Sequence, residues 1–470
     1  MKHVLEMDAT TLVRELKRGT LNIDKVLSVY QKQIQTVNPH INAVTETRFQ
    51  KARLEAQQVK EQGFRGRLAG VLFSIKESFH AAGMVTSGGL THLKSNVLSE
   101  DSEVVRRLKK EGAILLAKTN TPALCFCQET DNALYGRTNN PWNLRRTPGG
   151  SSGGEGALIA AGGAVVGIGA DIGGSIRFPA HFNGVIGFKS ASHQVPADGL
   201  FPELIHPMQQ SMLGIGALSK SVADAKLIHE ILADSPLNTQ PAGNFTISIP
   251  ELSPLSRLDS PTKQLYEEIC SWLDSDFPIE RDVPPLFPEA VQMWMGIMIY
   301  DGARSIMEQT ETTLIGGILW DYLKAKTGFK AKYHPFLTWS LLVARLFKPS
   351  ARQWEHLLLH WKKAKMKVHD FLYQRILILP VYHTAALPHG HLYRELFSGR
   401  RHLYKNLPFI AYANTFGLPA LTVPVGETPD GLPIAFQLIT APGQEEALFE
   451  LGSCLENRFR GYVRCNYYDK

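Results

Sequence analysis

The chain has 470 residues, 44% hydrophobic and 20% charged, with a formal net charge of +6. This balance is ordinary for soluble globular proteins and excludes a disordered or fibrous chain. The charge is modest, and Arg106-Arg107 and Lys109-Lys110 sit inside an apolar periodic pattern rather than in a basic tail, which argues against nucleic-acid binding.

The residues through Asp8 lack the apolar core and small-residue cleavage site of a secretory signal. Five scattered cysteines, Cys125, Cys127, Cys270, Cys454 and Cys465, suit reduced thiols and a cytoplasmic location. Cys125-x-Cys127 lacks the second pair that a zinc site requires. Leu12, Val13 and Leu16 recur at helical spacing, as do Val26, Leu27, Tyr30 and Ile34 after Asn22-Ile23-Asp24, so the first sixty residues read as helices. From Gly70 the pattern becomes a short apolar run ending on Lys76, the signature of a buried strand. Asp101-Ser102 is suited to cap a helix through about Lys110, Gly112 to stop it, and Ala113 to Ala117 to form the next buried strand. Strand and helix alternate, which argues for an α/β sandwich.

Residues 149 to 187 are dense in glycine, a composition that marks a ligand cradle or tight turns. Farther on, Trp294, Trp320, Trp339, Trp354 and Trp361 lie among leucines and lysines in a stretch, about 285 to 370, that reads as helical cover. Ala420 to Val425 and Ile434 to Ile439 repeat the strand signal before an amphipathic helix near Glu445 to Arg458, as if to complete the sheet. No uninterrupted apolar stretch of about 20 residues is present, so no spanning helix is expected.

Ser175, in Asp171-Ile172-Gly173-Gly174-Ser175-Ile176-Arg177, follows two glycines, so its hydroxyl can stand free on a turn while backbone N–H groups converge on a developing oxyanion. A phosphate cradle is disfavoured. Gly167-Ile168-Gly169 lacks the later glycine of a dinucleotide fingerprint, and no Gly-Lys-Ser/Thr follows. The residues alone do not name the base that takes the proton of Ser175. There is no Gly-x-Ser-x-Gly elbow, and His181, the nearest histidine suited to a conventional triad, fits a packing or surface role better.

Gly149-Gly150-Ser151-Ser152-Gly153-Gly154, followed by Asp171-Ile172-Gly173-Gly174-Ser175-Ile176-Arg177-Phe178-Pro179, resembles the signature of the amidase signature family. The resemblance runs from the N-terminal helices to Leu418-Pro419-Ala420 and Gly431-Leu432-Pro433 and is weakest between about 240 and 400. It implies one α/β domain over residues 1–470, a large twisted mixed β-sheet sandwiched between α-helices. The signature core would span about 65–235, the variable helical cover about 285–370, and the C-terminal sheet completion about 405–465. It also implies that Ser175 attacks, that Ser151, preceded by a cis peptide, relays protons, and that Lys76 is the base, with no metal or cofactor. An ordinary lysine titrates near 10.4, so a lysine base needs surroundings that favour its neutral form, and activity should rise toward alkaline pH. The oxyanion donors would be the N–H groups of Ile172, Gly173, Gly174 and Ser175. Asp171 and Arg177 would brace that loop as an ion pair, and Ser152 would add a hydrogen bond to the relay or serve only in the turn.

Within the family, Gly149 to Ile159 is most similar to the fatty acid amide hydrolases, and Tyr135-Gly136 and Asn140-Pro141-Trp142 agree. By that likeness Leu124, Cys125 and Phe126 line the acyl site of a small-molecule amide substrate, and the chain forms a homodimer. Lys189-Ser190-Ala191 departs from the family's usual Lys-Pro-Thr. Between 314 and 348, Leu314, Ile315, Trp320, Phe329, Trp339, Leu342 and Phe347 alternate with Lys324, Lys326, Lys330, Lys332, Arg345 and Lys348. This pattern suits peripheral membrane contact or, alternatively, a cap over the cleft or a dimer interface. Two rival functions share the fold: the glutaminase subunit of a tRNA-dependent amidotransferase, and a non-catalytic lipid-binding scaffold.

Overall fold

A computed structural model of the protein describes residues 2–238, 241–251, 258–310, 315–327, 329, 331–397 and 400–469. Leu314 and Lys330 lie outside the described residues. In chain order the strands are β1 (Val44–Thr47), β2 (Leu72–Lys76), β3 (Ile114–Thr119), β4 (Val166–Asp171), β5 (Ile186–Lys189), β6 (Gly214–Ser219), β7 (Thr246–Ser248), β8 (Ile279–Glu280), β9 (Arg375–Pro380), β10 (Ala420–Glu427) and β11 (Pro433–Ile439). They form one sheet in the order β1-β3-β2-β4-β6-β5-β10-β11-β9-β7-β8. β3, β2 and β4 run parallel, as do β9, β7 and β8, whereas β4-β6-β5-β10-β11-β9 are antiparallel. The result is the expected α/β architecture with a large mixed sheet.

Every residue of β2, β3, β4, β5 and β6 is buried, as a strand covered on both faces demands. The two faces can be read from one pair of neighbours. Gly187 meets Ala180 of the helix Arg177–Asn183, and the next residue, Phe188, packs on Phe449 of the helix Glu445–Arg458. Successive side chains of a strand point to opposite faces, so these two helices lie on opposite sides of the sheet.

The first sixty residues hold the helices Ala9–Lys17, Ile23–Ile41 and Phe49–Glu61. Asp8 and Asn22 cap the first two by accepting from first-turn N–H groups, and both helices bury the apolar positions read from the spacing. The all-helical expectation omits β1, a four-residue edge strand whose register shifts at Val44/Glu46. The helix Glu103–Lys110 starts at Ser102, but neither expected cap forms: Asp101 accepts from the Ala82 N–H and Lys109, and the Ser102 hydroxyl is buried without a partner. From 285 to about 370 the described residues form the helices Glu289–Met298, Arg304–Glu308, Ile315–Lys326, Pro335–Leu346 and Ala351–Leu372, joined by turns and loops, and Leu124 packs beneath that cover in a small separate core with Met307, Leu337 and Leu341. Among the described residues, no helix is long and apolar enough to cross a membrane.

The glycines of 149–187 are not confined to turns. Gly167 and Gly169 are strand residues, and a Cβ on either would collide with Glu155 Oε2 or Ser152 Oγ of the overlying helix segment. These strand glycines therefore admit a helix close against the sheet. Gly216 of β6 is tighter still, since its Cβ would stand 2.0 Å from the Phe188 carbonyl oxygen, a backbone atom that cannot rotate away. Gly216→Ala is expected to cost about 1–3 kcal/mol. This is read as a lower urea midpoint than wild type, with Gly243→Ala, whose Cβ meets nothing within 4 Å, as the control.

Candidate active site

Parallel strands β2 and β4 are neighbours and end at the same edge of the sheet, β2 on Lys76 and β4 on Asp171. Open α/β sheets place ligands beyond such carboxyl ends. Ser151 arrives from the loop ahead of the helix Gly153–Ala160, where the Gly150–Ser151 peptide is cis. Lys76 is buried, and its Nζ donates to Ser151 Oγ at 2.7 Å. The Ser152 N–H donates to the Ser175 carbonyl at 3.1 Å, tying the two serine loops together. The Ser175 hydroxyl makes no hydrogen bond among the described residues, and the residue, only 6% exposed, opens on a cavity that Lys76 and Ser151 also line.

The Ser175 loop is braced through Asp171. Its carboxylate accepts from the N–H groups of Gly174 at 2.8 Å and Ile176 at 3.1 Å, and it pairs with the Arg177 Nε at 3.1 Å, both side chains being wholly buried. Burial alone would raise the Asp171 carboxyl. The Arg177 charge and hydrogen bonds reverse this, with help from Lys189 and Asn414, and hold it well below the ordinary carboxylate range. Arg177 continues to Gln437 Oε1 of β11 at 3.0 Å and to Asn414 Oδ1, and Asn414 Nδ2 returns to Asp171 at 2.9 Å.

Two expectations change here. Gly174, in a left-handed conformation (φ 93), turns its N–H into Asp171, so it braces the loop instead of facing the cavity. Among the described residues, the N–H groups of Ile172, Gly173 and Ser175 donate to no protein acceptor. Ser152 adds no hydrogen bond to the relay: its hydroxyl is buried without a partner, packed beside Gly169, and only its N–H contributes.

Leu124, Cys125 and Phe126 line the cavity beside Ser175. Leu124 (φ 56) and Cys125 (φ 59) are consecutive non-glycine residues in the left-handed region, a strained backbone that presents them to the cavity. A second cavity also reaches Ser175 and is apolar, with Phe126, Trp294, Met298, Phe336, Trp339 and Val343 in its walls. Trp294 belongs to the helical cover, and its indole Nε1 donates to the Ile172 carbonyl at 2.8 Å. His181 stands apart from these residues. It accepts the Ala435 N–H on Nδ1 and meets the Thr384 carbonyl through Nε2, and burial pushes it down to about 4, so it is a neutral structural pin.

Sequence reasoning missed Glu155, Asn414, Gln437 and Trp294. Glu155 lies buried next to Lys76 and receives the hydroxyls of Ser74 and Thr119. Burial pushes its carboxyl up to about 8, against the lowering effect of those hydroxyls and of the Lys76 charge. A glutamate among small residues was a visible signal in Gly-Gly-Glu-Gly-Ala, whereas Asn414 and Gln437 come from segments more than 200 residues away. Ser190, where the family has proline, accepts the Ile215 N–H at 3.1 Å, so the departing loop is held by a hydroxyl that proline lacks.

The amidase family model matches residues 25–449. Fatty-acid amide hydrolase 2-B of Danio rerio is 31% identical over 98% of this chain and 91% of its own length. An indoleacetamide hydrolase of Bradyrhizobium diazoefficiens is 28% identical over 97% of this chain and 87% of its own. Among solved structures, an amidase crystal structure superposes with a TM-score of 0.80 at 26% identity, covering 97% of this chain and 100% of that one.

Two stability measurements follow from these buried charges. Arg177→Leu leaves Asp171 buried without its partner and should cost about 3–5 kcal/mol in chemical unfolding. Glu155 is raised from an ordinary 4.5 to about 8, so the unfolded chain ionises first. The stability it contributes is full below about pH 4.5 and is lost as pH rises through about 8. Glu155→Gln, neutral throughout, should therefore lose less of its urea midpoint than wild type does between about pH 5 and 8.

Proposed function

Since the chain belongs to the amidase signature family and is an amide-hydrolysing enzyme, we propose that it cuts amides with hydrophobic acyl groups through Ser175, Ser151 and Lys76. One observation carries this reading: Lys76 Nζ lies 2.7 Å from Ser151 Oγ, and both line the cavity onto which the Ser175 hydroxyl opens. When Lys76 is neutral the same contact runs in reverse, with Ser151 donating to the amine while accepting the proton of Ser175. Ser175 then adds to the carbonyl carbon, and the oxyanion finds the N–H groups of Ile172, Gly173 and Ser175. Ser151 passes the proton to the leaving nitrogen, the C–N bond breaks, and water releases the acid from the acyl-enzyme. The same steps serve an ester, so some ester hydrolysis is expected.

The apolar cavity at Ser175 supports a fatty acyl or aryl acyl group, and the names of the fatty-acid amide and indoleacetamide hydrolases agree. The glutaminase reading would need partner subunits, and nothing in this cavity favours it.

The reading extends to peripheral membrane contact by a cytoplasmic homodimer. On the helix Ile315–Lys326, Ile315, Leu319, Trp320 and Leu323 form an exposed apolar face, and Lys324 lies over the Trp320 ring. Trp320 is 61% exposed, whereas Trp339 lines the apolar cavity, so Trp320 and not Trp339 is the residue to test.

With acyl p-nitroanilides of graded chain length, Ser175→Ala should lose at least about 10³-fold in kcat. Lys76→Ala should be slow and should lose the rise toward alkaline pH expected of wild type. Turnover surviving in Ser175→Ala would reassign the nucleophile, and a purified chain inactive on every amide would point to a partner-dependent enzyme. Trp320→Glu should reduce co-sedimentation with anionic liposomes; unchanged sedimentation removes the membrane part alone.

A further inference from the structure

The two cavities that meet at Ser175 differ in charge. Among the described residues, no charged side chain lines the apolar cavity, whereas the one shared with Lys76 and Ser151 also carries Glu203 and Asp301. Leu200, Phe201, Glu203, Leu204 and Leu213 separate this second lobe from an outer cavity of about 600 Å³, whose charged lining is Asp198 and Glu203. Two histidines, His80 and His193, complete its titratable groups, and burial, aided by the Lys118 charge, pushes His80 down toward its neutral form. Together the linings of this lobe and the outer cavity carry three acidic side chains and, among the described residues and apart from the buried Lys76, no lysine or arginine.

The chemistry decides which part of the substrate meets these acids. Lys76 and Ser151 line the acidic lobe and not the apolar one. The group that needs a proton from Ser151 is the leaving nitrogen, so the amine portion points toward Glu203 and Asp301 while the acyl chain takes the apolar lobe. The lobe is a ligand site by more than its acids: the Ser175 hydroxyl, over nine-tenths buried and without a partner among the described residues, opens into it.

Resting on the reading above, we propose that the leaving-group lobe selects amides whose amine portion carries a positive charge beyond the scissile nitrogen, as in N-acylated diamines, and discriminates against amines that carry a carboxylate. The reaction is unchanged: water supplies hydroxide to the acyl carbon and a proton to the nitrogen, and the products are a carboxylic acid and a cationic amine. Glu203 and Asp301 act on specificity by attraction across a partly solvated space, so the preference should weaken as salt screens them.

The test uses octanoyl amides of three amines of matched length: 1,4-diaminobutane, butylamine and 4-aminobutanoate. The expected order of kcat/KM is cationic, neutral, anionic, with cationic over anionic about tenfold or more at low ionic strength and a smaller ratio near 0.5 M NaCl. Glu203→Gln and Asp301→Asn should each shrink that ratio. Calorimetric binding of the three amides to Ser175→Ala reads the same ranking without turnover. If the ranking holds while no amide is cut, the catalytic reading fails and this inference stands. Equal values for the three amides, or a preference for the anionic one, overturns the inference and leaves the catalytic reading intact.

Discussion

The buried contact between Asp171 and Arg177 is the interaction on which the site depends. Neither charge could remain in a fully buried position without the other, and the pair is completed by Asn414 and Gln437. Because Asp171 ends β4 and Arg177 opens the following helix, the contact closes the intervening residues into a fixed loop. The carboxylate takes the N–H groups of Gly174 and Ile176, leaving those of Ile172, Gly173 and Ser175 free to face the cavity. The same pair joins distant parts of the chain, since Gln437 belongs to β11 and Asn414 to the helix Pro408–Thr415. Cooperative folding of the C-terminal third and geometry at Ser175 are thus one problem with one solution.

A second constraint is the parallel run of β3, β2 and β4. It sets Lys76 beside the end of β4 at one edge of the sheet, where the helix carrying Glu155 packs close enough that strand glycines are needed beneath it. The helical cover then divides the space above Ser175. Trp294 ties that cover to the Ser175 loop through the Ile172 carbonyl, so the wall of the apolar lobe is attached to the loop that carries Ser175.

Strands such as β2 and β11 were legible because a continuous apolar run bounded by turn residues has one economical reading in a sheet covered on both faces. The helix Ile23–Ile41 was legible from spacing and from Asn22. β1 was not, since four residues carry no period that can be told from a helix end, and its pairing with β3 lies about 70 residues away. Ser175 stands out from the two glycines before it, whereas Ser151 and Lys76 are named as relay and base only by the resemblance; residue types alone leave the base open. The direction of the Gly174 N–H, and the choice between the two readings of Ser152, were not legible because a backbone N–H or a hydroxyl acquires its direction only when φ and ψ are set. Asn414 and Gln437 carry no local signal. Their role exists only once the sheet brings them to Arg177.

The electrostatics of the interior explain why the site can be so deeply buried. Around Asp171 the compensation is complete, with Arg177 in direct contact and Lys189, itself pushed down to about 7 by burial, adding a smaller attraction. Around Lys76 the design is the opposite. Burial pushes the carboxyl of Glu155 up to about 8, so it is largely protonated near neutral pH. Burying Glu155 among Ser74, Thr119 and a strand glycine thus keeps it neutral, whereas Arg177 keeps Asp171 ionised. Two acids less than 20 residues apart are held in opposite states, one bracing the Ser175 loop with its charge and the other buried as a largely neutral partner of the Ser74 and Thr119 hydroxyls.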